Sequence, residues 1–228
     1  TENIGFPMAH AKELHRQTPL IDGHNDLPWR LREKVDRALS KMDISVRQME
    51  FHTDIPRLRE GGVGGQFWSV YVPTSFEEDE FVQATMEQID LVHNIVDRYP
   101  ETFQLALTAS EVENAFDAGK IAALIGMEGG HCIGNSIAAL RMFYRLGARY
   151  MTLTHNKSIS WADSCTDFPK AHGLTQFGKA VVLEMNRLGM LVDLSHVSHK
   201  TMHATLDIAK APVVFSHSSA RGRTGHPR

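Results

Sequence analysis

The chain has 228 residues, with 24 Lys and Arg against 27 Asp and Glu and a formal net charge of −3. A chain of this length can bury a core as one large domain or two small ones, and its composition excludes a disordered or fibrous protein. The near balance of charge, without a basic block, argues against a nucleic-acid partner. No apolar run reaches the roughly 18 residues of a transmembrane helix, so we predict no membrane-spanning segment.

The first predicted strand ends in a histidine and a carboxylate. A loose helical pattern over residues 1–17 precedes an apolar strand from Thr18 to His24. Side chains alternate along a strand, so His24 and Asp26 would leave the same face and could bind one cation together. The charged stretch that follows, to about residue 50, has the character of a long loop.

The middle of the chain predicts two more strands and two helices. Five residues at 61–65, four of them glycine, lead into an aromatic and β-branched strand from Gln66 to Val72. Because these glycines precede the strand, they are a weak candidate for a phosphate-binding turn. Helical spacing over 76–99 and 109–118 flanks a short strand at 103–107.

The remaining strands repeat the apolar run that ends in a histidine or a carboxylate. These strands lie at 121–131, 150–155, 191–196 and 213–217, and helices are predicted at 136–146, 174–188 and 200–209. Near-continuous apolar strands separated by helices are typical of parallel βαβ units. We therefore predict the α/β fold class.

An open doubly wound sheet and a closed (β/α)8 TIM barrel would both give this alternation. An open sheet binds its ligand at one switch point, whereas a barrel gathers the carboxyl ends of all its strands. Polar residues end at least five strands here, so we predict a barrel that forms a single catalytic domain over residues 1–228. Only six strong strands are visible, seven with 103–107. We therefore expect a barrel truncated by about two strands, with His24 and Asp26 at an unpaired edge that would favour a homodimer.

Six strand-end residues are the candidates for chemistry: His24, Asp26, Glu128, His155, His196 and His217. Histidines and carboxylates without thiolates suit Zn²⁺ or a similar ion, and six groups exceed what one tetrahedral zinc binds. Two ions fit better, with Glu128 between a site at His24 and Asp26 and a site at His196 and His217. Such a pair would hold a hydroxide that attacks a carbonyl or phosphoryl centre.

Structural roles are the alternatives for each of these residues. A single strand-end histidine is more often hydrogen-bonded than metal-bound. Glu128 could cap a turn, and Asp26 could be the N-cap of a helix that begins at Leu27 and Pro28. His131 and His226 lie on loops of the same face and stay unassigned. We expect the histidines outside strand ends to be solvated or packed.

Several motifs, taken together, resemble the membrane (renal) dipeptidase family. They occur in order between about Thr18 and Arg228, at residues 22–29, 65–71, 126–131, 152–155, 193–198 and 215–220. The resemblance implies a TIM barrel of the metal-dependent hydrolase type with two zinc ions. It also implies cleavage of dipeptides, and some members of the family open β-lactams as well.

The resemblance implies a zinc-ligand set. His24 and Asp26 would bind one zinc, His196 and His217 the other, and Glu128 would bridge them.

The resemblance also implies the residues that meet the substrate. His155 would contact the substrate and stabilise the oxyanion, which with Glu128 completes the predicted catalytic pair. Arg228 would pair with the C-terminal carboxylate of the dipeptide, a task suited to a planar guanidinium. Trp29 and Tyr71 resemble pocket walls, with ordinary core packing as the alternative.

The sequence departs from the family in two ways. The family aspartate that handles the proton would lie beyond Arg228, so proton transfer is unassigned. Thr74 and Lys157 stand where animal members have a disulfide pair. That difference favours a reducing, cytoplasmic compartment or a microbial origin. Because the sequence begins at Thr1, a removed signal segment is the alternative, which would place the protein in the periplasm or outside the cell.

The function predicted from the sequence is hydrolysis of free dipeptides by a dinuclear zinc centre through a metal-bridging hydroxide. Hydrolysis of another amide, a lactam or a phosphoester by the same metals is the first alternative. The second alternative is an inactive fragment of such an enzyme.

Overall fold

The computed structural model describes residues 8–226, which form a parallel sheet flanked by helices. The strands are β1 (Leu20–Asn25), β2 (Val63–Tyr71), β3 (Phe103–Leu105), β4 (Ile121–Glu128), β5 (Ala148–Thr152) and β6 (Leu191–Asp193). The helices are α1 (Met8–Gln17), α2 (Leu27–Val35), α3 (Ile55–Gly61), α4 (Phe81–Arg98), α5 (Ala109–Asp117), α6 (Ile137–Arg145), α7 (Gln176–Leu188), α8 (His199–Leu206) and α9 (Arg221–Thr224). Short 3₁₀ turns lie at Leu39–Lys41 and Gly130–Ile133.

The sheet has the order β1-β2-β4-β5-β6, and every pairing is parallel. The short strand β3 pairs with the beginning of β4, and β5 pairs with the rest of it. Strands that are parallel and separated by helices confirm the α/β prediction. None of the helices between residues 8 and 226 is long and apolar enough to cross a membrane.

The alternation of side chains along β4 separates the main core from the functional face. Ile121, Ala123, Ile125 and Met127 pack into the large apolar core under the helices, whereas Ala122 and Leu124 belong to a separate small cluster. Because successive side chains point to opposite faces, Glu128 leaves the sheet on the side of Ala122 and Leu124. The strand therefore directs its only carboxylate away from the main core.

Side-chain caps fix where the helices after the later strands begin. Ser136, Thr175 and Ser198 each accept a hydrogen bond from a backbone amide in the first turn of α6, α7 and α8, respectively. Thr108 and Glu111 form a capping box at the start of α5. Such caps satisfy amides that have no partner within the helix.

Two sequence predictions about elements are wrong. The stretch after β1 is not a continuous loop, because α2 occupies its beginning and buries Leu27 and Leu31, which lie one helical turn apart. The segment 213–217 is not a strand. It joins the sheet through a single bridge between Asp193 and Val214.

Within the described residues β1 is an edge strand, as predicted, but the side chain of His24 is covered there, whereas that of Asp26 is exposed. The side chain of His24 is only 9% exposed, whereas that of Asp26 is 56% exposed. His24 is covered because the ring of His217 stacks on it, with ring centroids 3.8 Å apart.

Candidate metal centre

The candidate residues lie along one row of the sheet and on the loops just beyond it. Tyr71, Glu128, Thr152, Asp193 and Val214 are neighbours in register across the sheet. His155, His196 and His217 each follow a member of this row by three residues, in loops rather than in the predicted strand ends. The carboxyl ends of parallel strands meet at one edge, so the loops bring the histidines together.

The four histidines converge on the buried carboxylate of Glu128. The Nε2 atoms of His196, His217, His24 and His155 lie 3.1, 3.2, 3.5 and 3.7 Å from a Glu128 oxygen, respectively. The His24 Nε2 atom is also 3.1 Å from Asp26 Oδ1. Asp26 does not cap α2 with its side chain, which removes the capping alternative. All six strand-end candidates therefore belong to one cluster.

The tautomer of His24 is set by Tyr150. The Tyr150 hydroxyl donates to the Gly23 carbonyl oxygen at 3.0 Å and lies 3.1 Å from His24 Nδ1. A hydroxyl has one hydrogen to donate, so the neutral His24 ring must donate its Nδ1–H to the Tyr150 oxygen. The lone pair of His24 is then on Nε2, which faces Asp26 and Glu128.

A second network sets the tautomer of His217. The Ser216 hydroxyl donates to Asp193 Oδ2 at 2.6 Å and lies 2.7 Å from His217 Nδ1. The hydroxyl therefore accepts Nδ1–H from the neutral His217 ring, and the His217 lone pair is also on Nε2. Asp193 holds Ser216 in place because it also accepts the Ser216 amide at 3.0 Å.

The resulting set of facing atoms fits a cation. Lone pairs on His24 Nε2 and His217 Nε2 and the ionised carboxylate of Glu128 are all acceptors, and such atoms repel one another at hydrogen-bond distance. A histidine whose other nitrogen donates to a fixed acceptor is the usual arrangement of a metal ligand. Nitrogen and oxygen ligands without a thiolate suit a divalent ion such as zinc.

The cluster contains two groups of three ligand atoms. His24, Glu128 and His217 form one group, and Glu128, His155 and His196 form the other. Glu128 is common to both groups, as expected for a bridging carboxylate. This grouping places His217 with His24, whereas the predicted ligand sets place it with His196. The Nε2 atoms of His196 and His217 are nevertheless 2.8 Å apart, which is close enough for them to share an ion. The predicted ligand sets therefore stay predictions.

The electrostatics of the cluster favour an ionised Glu128. Burial raises the pKa of its carboxyl, but hydrogen bonds with His196 and His217 and the charges of His24 and His155 lower it well below its ordinary value. Burial lowers the pKa of His24, but the hydrogen bond to Asp26 and the charge of Glu128 raise it more. That hydrogen bond requires a proton on His24 Nε2, the same atom whose lone pair faces the carboxylates in the neutral ring. The carboxylates therefore attract positive charge to this position, either a proton or a cation.

A cleft of about 460 Å³ opens over the cluster. Trp29 and Tyr71 line it beside His155, and the rings of Trp29 and Tyr71 meet edge to face at 5.1 Å. Burial lowers the pKa of His155 to about 4, so its imidazole is neutral at neutral pH. Arg228 lies outside the described residues, and its predicted role in substrate binding stays a prediction.

Sequence reasoning missed the residues that hold the ligands in place. Tyr150 and Ser216 fix the rings, and Asp193 is fully buried and also accepts hydrogen bonds from Thr152 Oγ1 at 2.6 Å and the Ser195 amide at 3.0 Å. A carboxylate that directly follows an apolar strand was the available signal for Asp193. His131, which was left unassigned, hydrogen-bonds the Val72 carbonyl oxygen and stays outside the cluster.

The sheet is parallel, and histidines and carboxylates meet beyond the carboxyl ends of its strands. This arrangement is typical of metal-dependent barrel proteins. Within that class, the model of the membrane dipeptidase family, peptidase family M19, matches residues 8–228. The chain belongs to this family.

Curated relatives and solved structures agree with the family. The chain is 46% identical over 232 residues to Dipeptidase verJ of Clonostachys rogersoniana, covering 97% of this chain and 60% of that protein. It is 46% identical over 217 residues to Dipeptidase 3 of Mus musculus, covering 92% of this chain and 43% of that protein. A metallopeptidase from Rhodobacter sphaeroides, solved with a phosphinate mimic of the dipeptide L-Ala-D-Ala, is similar with a TM-score of 0.78 and 25% identity. This last match covers 90% of our chain and 66% of the other.

Proposed function

We propose that this chain carries the dinuclear zinc centre of a dipeptidase, which hydrolyses the peptide bond of free dipeptides with a hydroxide generated at the metal pair. The observation that carries the proposal is the convergence of four histidine Nε2 atoms and Asp26 around the buried carboxylate of Glu128. The chain spans 60% and 43% of the length of the two curated relatives, so the activity is proposed for the whole protein.

For the ligand roles we propose those that the family resemblance implies. His24 and Asp26 would hold one zinc ion, His196 and His217 the other, and Glu128 would contact both. Bound zinc supplies Lewis-acid polarisation of a carbonyl and lowers the pKa of water toward neutrality. Tyr150 and Ser216 would orient His24 and His217 for this role, because each hydroxyl oxygen accepts the Nδ1–H of its histidine and leaves the lone pair on Nε2.

His155 is the candidate for stabilising the oxyanion. Its pKa of about 4 keeps the ring neutral at neutral pH, so one ring nitrogen carries a hydrogen that can be donated to a substrate oxygen. The ring lies against Tyr71, with centroids 4.8 Å apart, and its side chain is 15% exposed in the cleft. His155 is therefore oriented by packing and reachable by a substrate.

The substrate class is supported by the size of the cleft and by a relative. The cleft of about 460 Å³ falls within the range of roughly 300–1,000 Å³ typical of small-molecule sites. The Rhodobacter sphaeroides metallopeptidase binds a phosphinate mimic of a dipeptide. We propose that Trp29 and Tyr71 form the walls of the dipeptide site and that Arg228 pairs with the substrate's C-terminal carboxylate.

Metal content and substrate blocking test the proposal together. The full protein should contain two zinc ions per chain and cleave a free dipeptide, but not the same dipeptide with a blocked amino or carboxyl end. Glu128→Gln should lose zinc and activity, whereas the exposed variant Glu101→Gln should keep both. Full activity of Glu128→Gln, or an absence of metal after mild purification, would contradict the proposal.

The blocked substrates also separate the alternatives. Equal cleavage of free and blocked dipeptides would indicate an amidase of broader specificity rather than a dipeptidase. Cleavage of only a lactam or a phosphoester would show that the metal centre is catalytic but that dipeptides are not its substrates. Bound zinc without hydrolysis of any of these substrates would support a metal-binding protein without activity.

We also propose a homodimer, on the basis of the sheet edge at β1. Within the described residues β1 pairs only with β2, and the side chains of Leu20 and Ile21 are partly exposed. Sedimentation of the 228-residue chain measures this directly, and a monomer at all concentrations would contradict it.

A further inference from the structure

Helix α8 carries a second pair of histidines, apart from the candidate metal centre. His199 and His203 are exposed and four residues apart, so they lie on one face of the helix. Their Nε2 atoms are 3.1 Å apart, and the rings meet edge to face with centroids 4.4 Å apart. Neither residue belongs to the cluster around Glu128.

The separation of the two nitrogens is that of a chelating pair. For metal–nitrogen bonds of about 2.0–2.1 Å, a nitrogen separation of 3.1 Å corresponds to an angle of about 98° at the metal. Over that range of bond lengths the angle runs from roughly 95° to 102°, between the 90° of a tetragonal ion and the tetrahedral angle of roughly 109° that zinc prefers. The distance is therefore compatible with either ion, and the usual order of affinities for imidazole ligands favours Cu²⁺ over Zn²⁺.

The first turn of α8 is held rigidly, which limits the entropy lost when an ion binds. Ser198 caps the helix by accepting the Thr201 amide at 3.1 Å. The buried hydroxyl of Thr201 lies 3.1 Å from the carbonyl oxygen of Asp163 and 3.2 Å from that of Gly173, and its hydrogen is shared between these two acceptors. His199 and His203 are thus displayed on an anchored scaffold, and preorganised ligands bind more tightly than mobile ones.

The remaining coordination positions would belong to water. Among the described residues, no third His, Cys, Asp or Glu side chain joins the pair. Two imidazoles with water ligands match the tetragonal preference of Cu²⁺. The competing interpretation is a single N–H···N hydrogen bond between the rings, which would contribute little at an exposed position.

We propose that His199 and His203 form a surface site for one divalent copper ion on α8. The site is independent of the proposed dipeptidase activity, because it shares no residue with the candidate metal centre.

Copper binding to zinc-loaded full-length protein tests the site. Equilibrium dialysis against Cu²⁺ should show one added copper per chain, with zinc content unchanged, and electron paramagnetic resonance should show coordination by two nitrogens. His199→Ala and His203→Ala should each weaken that binding by about tenfold or more, as expected when one of two ligands is lost. Lys200→Ala, an exposed change on the same turn, should bind copper as the unaltered protein does.

Equal copper binding by the unaltered protein and both histidine variants would overturn the proposal, as would an absence of any added copper. Alanine is the strongest helix former, so the variants should keep α8 folded, and circular dichroism checks this. His203→Gln provides a second variant that keeps a polar side chain of similar size. If the protein binds no zinc, the proposed function fails, but the difference in copper binding between the unaltered protein and His203→Ala still tests this site.

Discussion

The hydroxyl of Tyr150 lies 3.1 Å from Nδ1 of His24, although 126 residues separate the two along the chain. This contact selects the tautomer that directs the His24 lone pair at Glu128. Tyr150 itself is almost fully buried, and burial raises the pKa of its hydroxyl well above its ordinary value, so it remains protonated.

Tyr150→Phe should therefore weaken zinc binding without removing a proposed ligand. Loss of such a partner typically lowers metal affinity by about 10- to 100-fold, because the ring is no longer held in one tautomer and orientation. Competition with a chelator measures the affinity, and Tyr144→Phe, which is remote from the proposed ligands, is the control. Unchanged affinity in Tyr150→Phe would show that the hydroxyl does not position His24.

Gly126→Ala should destabilise the fold at the same place. Gly126 and Tyr150 are paired across β4 and β5, and a Cβ at Gly126 would overlap the Tyr150 ring. Overpacking of this kind costs about 1–3 kcal/mol of unfolding free energy. Urea denaturation measures the loss, and Gly61→Ala is the control because an added Cβ there meets only Val63 at 3.8 Å. Equal stability of the two variants would contradict the packing described.

Asp193→Asn should lower the free energy of unfolding and loosen the orientation of the His217 ring. Asp193 accepts four hydrogen bonds, from two backbone amides and two hydroxyls, and an amide group would face at least one of those donors with a donor of its own. An unsatisfied buried group costs about 1–3 kcal/mol. The midpoint of urea denaturation and the zinc affinity should both fall in Asp193→Asn, whereas the exposed variant Asp207→Asn should alter neither. A loss of stability without a loss of zinc affinity would show that Asp193 does not support the metal centre.

The start of α3 should lose stability in acid. Burial raises the pKa of Asp54, but hydrogen bonds from the Arg57 side chain and from the Gln48 and Arg57 amides outweigh it and lower the pKa from 3.8 to about 2. A carboxyl whose pKa is lower in the folded state stabilises the fold above pH 3.8. That contribution is lost as the pH falls to about 2.

Urea midpoints of the unaltered protein and Asp54→Asn should therefore differ most above pH 4 and converge toward pH 2. Asp97→Asn, an exposed change near the end of α4, is the control and should follow the unaltered protein. A constant difference between the unaltered protein and Asp54→Asn across this range would show that Asp54 does not titrate in this way.

The apolar runs were enough to predict the α/β fold, because a buried parallel strand needs little more than continuous hydrophobic residues. They were not enough to predict α2, where only Leu27, Pro28 and Leu31 are buried among mostly charged neighbours. The segment 213–217 has the composition of a strand but joins the sheet through a single bridge, between Asp193 and Val214.

The candidate ligands could be predicted because each follows an apolar run, and that placement is local. Tyr150, Ser216 and Asp193 could not be assigned their roles, since these depend on contacts between distant segments, such as Tyr150 with Gly23. Likewise, the stacking of His217 on His24 joins two segments far apart in the chain, which no local pattern encodes.

The backbone of Gly23 approaches the Ser216 carbonyl so closely that a Cβ there would overlap it. Two segments nearly 200 residues apart are thus in direct contact at the carboxyl edge, one residue before His24 and His217. Ligands brought together by folding have little conformational freedom left to lose when an ion arrives. The affinity of the site for metal should therefore be coupled to the folding of the sheet, so that any change which opens the Gly23 contact weakens both at once.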